Sequence, residues 1–186
     1  MSITSAKTGS TSLSLALENN FMEPIASTLV GAGGVNTVIF NDIPQTYKHL
    51  QIRYSSRNAA VTDTVFARLN SDYGSNYSWH SLRGSGTATQ TVGTASVTVM
   101  EMPFSSYSGT TANAFGVAII DILDYANTNK YKTLRTLGGS DLNGSGYVFF
   151  NSGLWMNNTT VTSVTIYPST GNFVEYSRFS LYGIKG

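Results

Sequence analysis

The sequence contains no cysteine and few charged residues. The absence of thiols excludes disulfides, thiolate metal sites and cysteine nucleophiles. Charged residues make up only 11% of the 186 residues, and the net charge is +1. That fraction is less than half of the roughly 25% found in an ordinary soluble domain. So weak a field does not attract nucleic acid or an anionic membrane, and we expect neither as a partner.

Long apolar runs are also missing. No segment approaches the roughly 20 apolar residues needed to cross a bilayer. The first residues, MSITSAKTGS, lack the basic start and the apolar stretch of a signal peptide. We therefore expect the chain to be made in the cytoplasm.

What the sequence does contain is a succession of short segments rich in β-branched and aromatic residues, bounded by turn-forming residues. About ten or eleven such segments without a helix indicate a sandwich or a barrel. Their uneven connections favour a single-domain antiparallel β-sandwich of the jelly-roll or Greek-key type over residues 21–186. Alternation predicts ten mainly buried residues: Leu50, Ile52, Tyr54, Val65, Ala67, Leu69, Val117, Ile119, Val164 and Ile166.

Residues 1–20 are interpreted as an extended N-terminal arm. Leu13, Leu15 and Leu17 alternate with Ser14 and Ala16, the period of two that is typical of a strand with one apolar face. We expect these leucines to meet the sheet edge of a partner, although an ordinary edge strand of the same domain fits the pattern equally well.

Catalytic patterns are poorly represented. A Ser–His–Asp set can be drawn from Ser78 or Ser81, His80 and Asp72, but serine is abundant and the G-x-S-x-G elbow is absent. The neighbouring acids Asp121 and Asp124 are three residues apart, which sends them to opposite faces of a strand. The sequence predicts neither an enzyme nor a bound cofactor.

A calcium site has one partial signal. Asp141, Asn143 and Ser145 alternate before a glycine, as at the start of a calcium-binding loop. The closing acid of such a loop is missing, because its position holds Ser152. Asn-Gly and Ser-Gly are also common in turns, so a plain turn is the stronger interpretation.

Aromatic residues are the better lead to a function. Tyr73, Tyr77 and Trp79 cluster in one short segment, where Asp72 and Gly74 supply turn chemistry. We interpret the segment as a hairpin connection whose rings anchor a core or an interface, rather than a sugar.

Two segments resemble a family of tailed-bacteriophage structural proteins. These are FNDIPQTYKHLQIRYSSRNA (residues 40–59) and FARLNSDYGSNYSWHSLRGSG (residues 66–86). In that family an F-x-x-I-P-x-x-Y-x-x-L-x-(L/I)-R segment precedes a strand ending in F/L-N-x-D-x-G-x-N-Y-S-x-H. The ending SRFSLYGIKG is similar to the close of those proteins, whereas residues 87–176 carry no such likeness.

The resemblance implies a non-enzymatic protein of the virion. From the compact size we infer a capsid decoration, or cement, protein that binds the major capsid protein and forms homo-oligomers, either dimers or trimers. The alternative is a carbohydrate-binding module of a tail fibre, spike or baseplate.

Overall fold

The computed structural model describes residues 21–186, which form thirteen strands and no helix. The strands are β1 (Met22–Leu29), β2 (Val38–Phe40), β3 (His49–Asn58), β4 (Val65–Leu69), β5 (Tyr77–Gly84), β6 (Thr89–Val97), β7 (Met100–Met102), β8 (Ser106–Tyr107), β9 (Gly116–Leu123), β10 (Lys132–Asp141), β11 (Gly146–Trp155), β12 (Val164–Pro168) and β13 (Arg178–Ile184). The arm predicted over residues 1–20, with its three leucines, lies outside the described residues.

Two sheets pack face to face. The large sheet has the order β1-β13-β3-β9-β10-β11-β5-β6, with β8 added beside β3, and the small sheet has the order β2-β12-β4-β7. All pairings are antiparallel except the short one between β3 and β8. The predicted antiparallel β-sandwich is confirmed. Below, the inner side of the large sheet is the one that faces the small sheet, and the outer side is the opposite one.

Alternation along the strands builds the core between the sheets. In β3 the residues Leu50, Ile52 and Tyr54 are all less than 5% exposed, and their sequence neighbours point to the outer side. β12 and β4 supply the opposing layer from the small sheet, with Val164, Ile166 and the other predicted core residues of these strands buried. A side-chain period of two thus explains both layers.

The predicted burial of Val117 and Ile119 is wrong. In β9 the residues Ala118, Ile120 and Ile122 face inward, whereas Val117 is 53% and Ile119 39% exposed. Residues 117–120 of β9 are apolar on both sides, and the residue that marks the outer side is Asp121, which shares that side with Val117 and Ile119.

The predicted hairpin at residues 70–76 is also wrong, because this segment crosses from the small sheet to the large one. β4 pairs with β12 and β7, and β5 pairs with β11 and β6. Asn70 begins the crossing in a left-handed conformation (φ 51°). Its side-chain oxygen accepts hydrogen bonds from the backbone amides of Thr162 (2.8 Å) and Ser163 (3.1 Å), which fixes the crossing against the strand entry of β12.

A polar cluster lies between the sheets beside β7. Arg83 pairs with Glu101, and both side chains are largely buried. The Arg83 guanidinium also lies over the rings of Phe149 (4.6 Å) and Phe104 (5.0 Å). Burial raises the pKa of Glu101, and the charge of Arg83 acts in the opposite direction.

Candidate interaction surface

The outer side of the large sheet carries a row of apolar residues on four neighbouring strands. Ile119 lies opposite Leu137, Leu137 opposite Phe150, and Phe150 opposite Leu82. These four residues, from β9, β10, β11 and β5, are 39–54% exposed. We call them the outer apolar row. A contiguous apolar strip of this kind on a protein surface is typical of a contact site.

The row next to it is also apolar and is indented. Val117 and Val148, which are 53% and 64% exposed, flank Gly139 in the strand register. The missing side chain at Gly139, and that at Gly84 beyond Val148, leave a surface depression of about 660 Å³. The apolar surface therefore extends past the outer apolar row towards one end of the strands.

On the opposite side of the outer apolar row, the residues are polar and are hydrogen-bonded to one another. Asp121 accepts hydrogen bonds from Gln51 Nε2 and from Arg135 Nη2, both at 2.8 Å. Gln51 in turn accepts one from Arg53 Nε at 2.8 Å. Arg135 and Asp121 form an ion pair, whereas Arg53, which lies opposite Ile119, is exposed and forms no ion pair among the described residues. The outer side therefore offers a partner an apolar strip with one free positive charge at its β3 end.

A second depression, of about 410 Å³, lies at the β5–β6 end of the outer apolar row. It is lined by Leu82, Phe150, His80 and Ser152, among others. The His80 ring fits there because its β6 neighbour is Gly93, where a Cβ atom would come within 2.6 Å of the imidazole. This depression thus places the ring of Phe150 beside the polar side chains of His80 and Ser152.

The residues considered for a catalytic triad are not gathered into one. Asp72 accepts hydrogen bonds from Gly74 N (2.8 Å), Asn76 Nδ2 (2.8 Å) and Trp155 Nε1 (2.7 Å). Burial acts to raise the pKa of Asp72, but these bonds outweigh it and lower that pKa below its ordinary value. Asp72 therefore serves as an ionised acceptor that ties the crossing segment to β11.

The other members of the set point in different directions. Ser81 is buried on the inner side, where its hydroxyl accepts a hydrogen bond from Arg83 Nε at 3.0 Å. His80 is on the outer side, as is Ser78 two residues before it. The sequence neighbours Ser81 and His80 are thus separated by the sheet itself.

Of the three aromatic interface candidates, the structure leaves only Tyr73 exposed. Tyr77 is fully buried and stacks on Trp155 with ring centroids 6.4 Å apart, and Trp79 is 9% exposed. Both face inward because they occupy odd positions of β5. Tyr73 is 69% exposed and lies under the guanidinium of Arg68 at 4.4 Å.

The calcium candidates form the turn of the β10–β11 hairpin. Asp141 accepts a hydrogen bond from the backbone amide of Asn143 at 2.9 Å, and Ser145 O accepts one from Leu142 N at 2.9 Å. Asn143 and Gly144 have left-handed φ values of 58° and 104°. Turn chemistry accounts for these residue types. Residues 21–186 hold no group of three or more His, Asp or Glu side chains placed to bind a metal ion.

Sequence reasoning missed the outer apolar row. Its four residues are scattered between positions 82 and 150, and only the register of four strands brings them together. A signal was nevertheless available in two unbroken apolar runs, VAII (residues 117–120) and VFF (residues 148–150). A strand with one side in solvent normally alternates apolar and polar residues. Such runs mark strands with apolar side chains on both sides.

No family model matches the chain, and no curated protein matches it either. Among the described residues there is no helix long and apolar enough to span a membrane.

Proposed function

We propose that this chain is a non-enzymatic structural protein of a tailed-phage virion, which decorates the head shell and contacts the major capsid protein through the outer apolar row. The observation that supports the proposal is the row itself: four half-exposed apolar side chains on neighbouring strands of one open sheet. Of the charged residues beside the row, Arg135 and Asp121 are paired with each other, and Arg53 forms no ion pair among the described residues. Such a surface favours contact with an apolar counterpart.

The energetics suit attachment in many copies. Full burial of one such side chain is worth about 1.5–3 kcal/mol. Because each is already about half-buried, covering all four contributes roughly 3–6 kcal/mol, before the cost of association. One copy then binds weakly, whereas a homo-oligomer that engages several equivalent sites of the lattice at once is retained through multivalency.

The residues behind the family resemblance support an architectural role. Asn70 and Asp72 use their side chains to hold the crossing between the two sheets, through contacts with the β12 entry and with Trp155. Ile43 is buried as well, at 3% exposure. These three motif residues therefore act in folding.

A binding experiment with head shells tests the proposal. Leu137→Asp places a charge in the centre of the outer apolar row, and Ile39→Asp is the matched control, because Ile39 is similarly exposed (50% against 54%) but lies in β2 of the small sheet. We expect Leu137→Asp to bind shells at least about tenfold more weakly than the unmodified chain, since a loss of ~1.4 kcal/mol in binding free energy is a factor of ten in affinity. Co-sedimentation of purified protein with shells that lack it measures the effect.

The control should bind as the unmodified chain does, and both variants should melt at its temperature. Equal binding by Leu137→Asp would contradict the assigned surface. Attachment to tails rather than to shells, seen in images of labelled particles, would contradict the decoration role.

One observation favours the alternative, a carbohydrate-binding module. The depression lined by Phe150, His80 and Ser152 offers a ring for stacking and polar atoms for hydroxyl groups. A glycan array probed with the unmodified chain and with Phe150→Ala distinguishes the two functions. Binding that disappears in the variant would favour glycan recognition.

A further inference from the structure

The free edges of the two sheets differ in how they are protected. β2 and β7 of the small sheet have three residues each, which leaves little edge to pair with. β1, at one end of the large sheet, has eight residues but contains Glu23 and Pro24, and its register shifts there. Short length, charge, proline and bulges are the usual means by which proteins prevent further strand pairing.

β6, at the other end of the large sheet, is protected least. It runs for nine residues, TQTVGTASV, with neither charge nor proline, and its one irregularity is a bulge near its end, where Ser96 has φ 55°. Within residues 21–186 it pairs with β5 alone. Most of its length is therefore an open row of backbone donors and acceptors.

Beside this edge, part of the core remains exposed to solvent. Val92 and Val97 face inward and pack against the buried cluster, yet both are only partly buried. Another strand placed beside β6 covers them if its inward side chains are apolar. The edge thus selects an uncharged segment with apolar residues at every second position.

Residues 12–17 of this same chain, SLSLAL, have that pattern. Leu13, Leu15 and Leu17 alternate with small residues, and the segment contains no charge. A strand that turned these leucines towards Val92 and Val97 would place Ser14 and Ala16 on the outer side. The segment lies outside the described residues, so its length and its starting point decide which copy it can reach.

Its starting point is at the wrong end of the sheet for its own β6. Phe21 is held beside β13 through a hydrogen bond from Lys185 N to its carbonyl oxygen (3.0 Å), next to β1. From β1 to β6 there are seven strand spacings, about 34 Å along the sheet at ~4.8 Å each. The four residues from Phe21 back to Leu17 span about 14 Å at most.

We propose that residues 12–17 of one copy pair as an added strand with β6 of a second copy. The partner is thus another molecule of this chain, and the contact requires no particular role in the virion. It extends the large sheet of the receiving copy by one strand and covers its two half-buried valines.

Cysteine cross-linking tests the proposal directly, because the chain has no cysteine of its own. A tagged full-length chain with Ala16→Cys is mixed with an untagged full-length chain that carries Thr91→Cys. Thr91 is exposed on the outer side of β6, where Ala16 is expected. Under mild oxidation we expect a disulfide-linked pair of one tagged and one untagged chain.

The matched control is Ser27→Cys in place of Thr91→Cys. Strand pairing places Ser27 and Thr91 in the same row of the outer side, at the two opposite ends of the large sheet. The control should give at least tenfold less mixed product. Equal yields from both edges, or no mixed product with Thr91→Cys, would overturn the proposal.

Two further measurements complete the test. In a single chain that carries both Ala16→Cys and Thr91→Cys, a link within one molecule would show that the arm folds back and would also overturn the proposal. Sedimentation of the full-length chain with Leu13, Leu15 and Leu17 all changed to Ser should show association at least tenfold weaker than in the unmodified chain. Unchanged association would contradict the inference.

Discussion

On three strands of the large sheet, the inner and outer sides differ in polarity in the direction opposite to the usual one. At the level of the outer apolar row, each of β10, β11 and β5 buries one polar residue on the inner side beside an exposed apolar residue on the outer side: Thr136 beside Leu137, Asn151 beside Phe150, and Ser81 beside Leu82. On β9, by contrast, both sides are apolar, with Ile120 inside and Ile119 outside. Folding alone would favour the opposite arrangement on the three strands. This arrangement supports the proposal that the outer apolar row is a contact surface.

The largest expected difference between the sides is on β9. Ile120→Ala should lower the free energy of unfolding by about 2–5 kcal/mol, because it leaves a cavity in the core. Ile119→Ala, one residue away, should cost less than about 1 kcal/mol, because solvent already reaches that side chain. Urea denaturation of the two variants measures both values. Equal losses would show that the outer side is covered within the single chain.

A smaller effect is expected at Asp72, a partly buried polar group of the crossing segment that has hydrogen-bond partners. Asp72→Asn replaces a carboxylate, which only accepts hydrogen bonds, by an amide, so the indole N–H of Trp155 or another of the three donors loses its acceptor. Hydrogen bonds to charged groups are worth about 1.5–3 kcal/mol, and we expect a loss of that size at neutral pH.

The pH dependence of this loss follows from the pKa of Asp72, which folding lowers below 3.8. The stabilisation by the ionised Asp72 is complete at a pH above the pKa that this group has in the unfolded chain. It disappears as the pH falls through the lower pKa that the group has in the folded chain. The unmodified chain and the variant should therefore approach each other in stability below about pH 4. Thermal melts at pH 7 and pH 3 measure this, and a constant difference would contradict the assigned role.

The smallest effect, of opposite sign, is expected at an inner polar group without a partner. Thr136 is 1% exposed, and its hydroxyl finds no hydrogen-bond partner among the described residues. Thr136→Val removes the hydroxyl at nearly constant volume and should raise the free energy of unfolding by about 1 kcal/mol. A loss of stability on denaturation would instead indicate that the hydroxyl has a partner in solution.

The sequence was sufficient for the fold class and for much of the core. Where polar and apolar residues alternate, as at Leu50, Ile52 and Tyr54, the inner side was predicted correctly. In residues 117–120 of β9 both sides are apolar, and Val117 and Ile119 were assigned to the inner side, although Asp121, two residues further on, marks their side as the outer one. Thr136 and Asn151 could not have been predicted as buried, since their burial depends on which strands the segment around β7 covers.

β6 and the outer apolar row were not predicted, for a related reason. The segment TQTVGTA lacks the alternation of apolar and polar residues that is typical of a strand packed on a core, because it forms the edge strand of the large sheet. The row depends on the pairing of strands that are far apart in the chain, and register of that kind is a property of the whole sheet.

The position of Phe21 and β6 at opposite ends of the large sheet has a consequence for symmetry. A contact that joins the segment before Phe21 in one molecule to β6 in the next uses two different surfaces, so it is heterologous. The rotation between neighbours then decides the assembly. A half-turn closes it as a reciprocal dimer, a third of a turn closes it as a ring of three, and a rotation that does not divide a full circle produces an open helical filament.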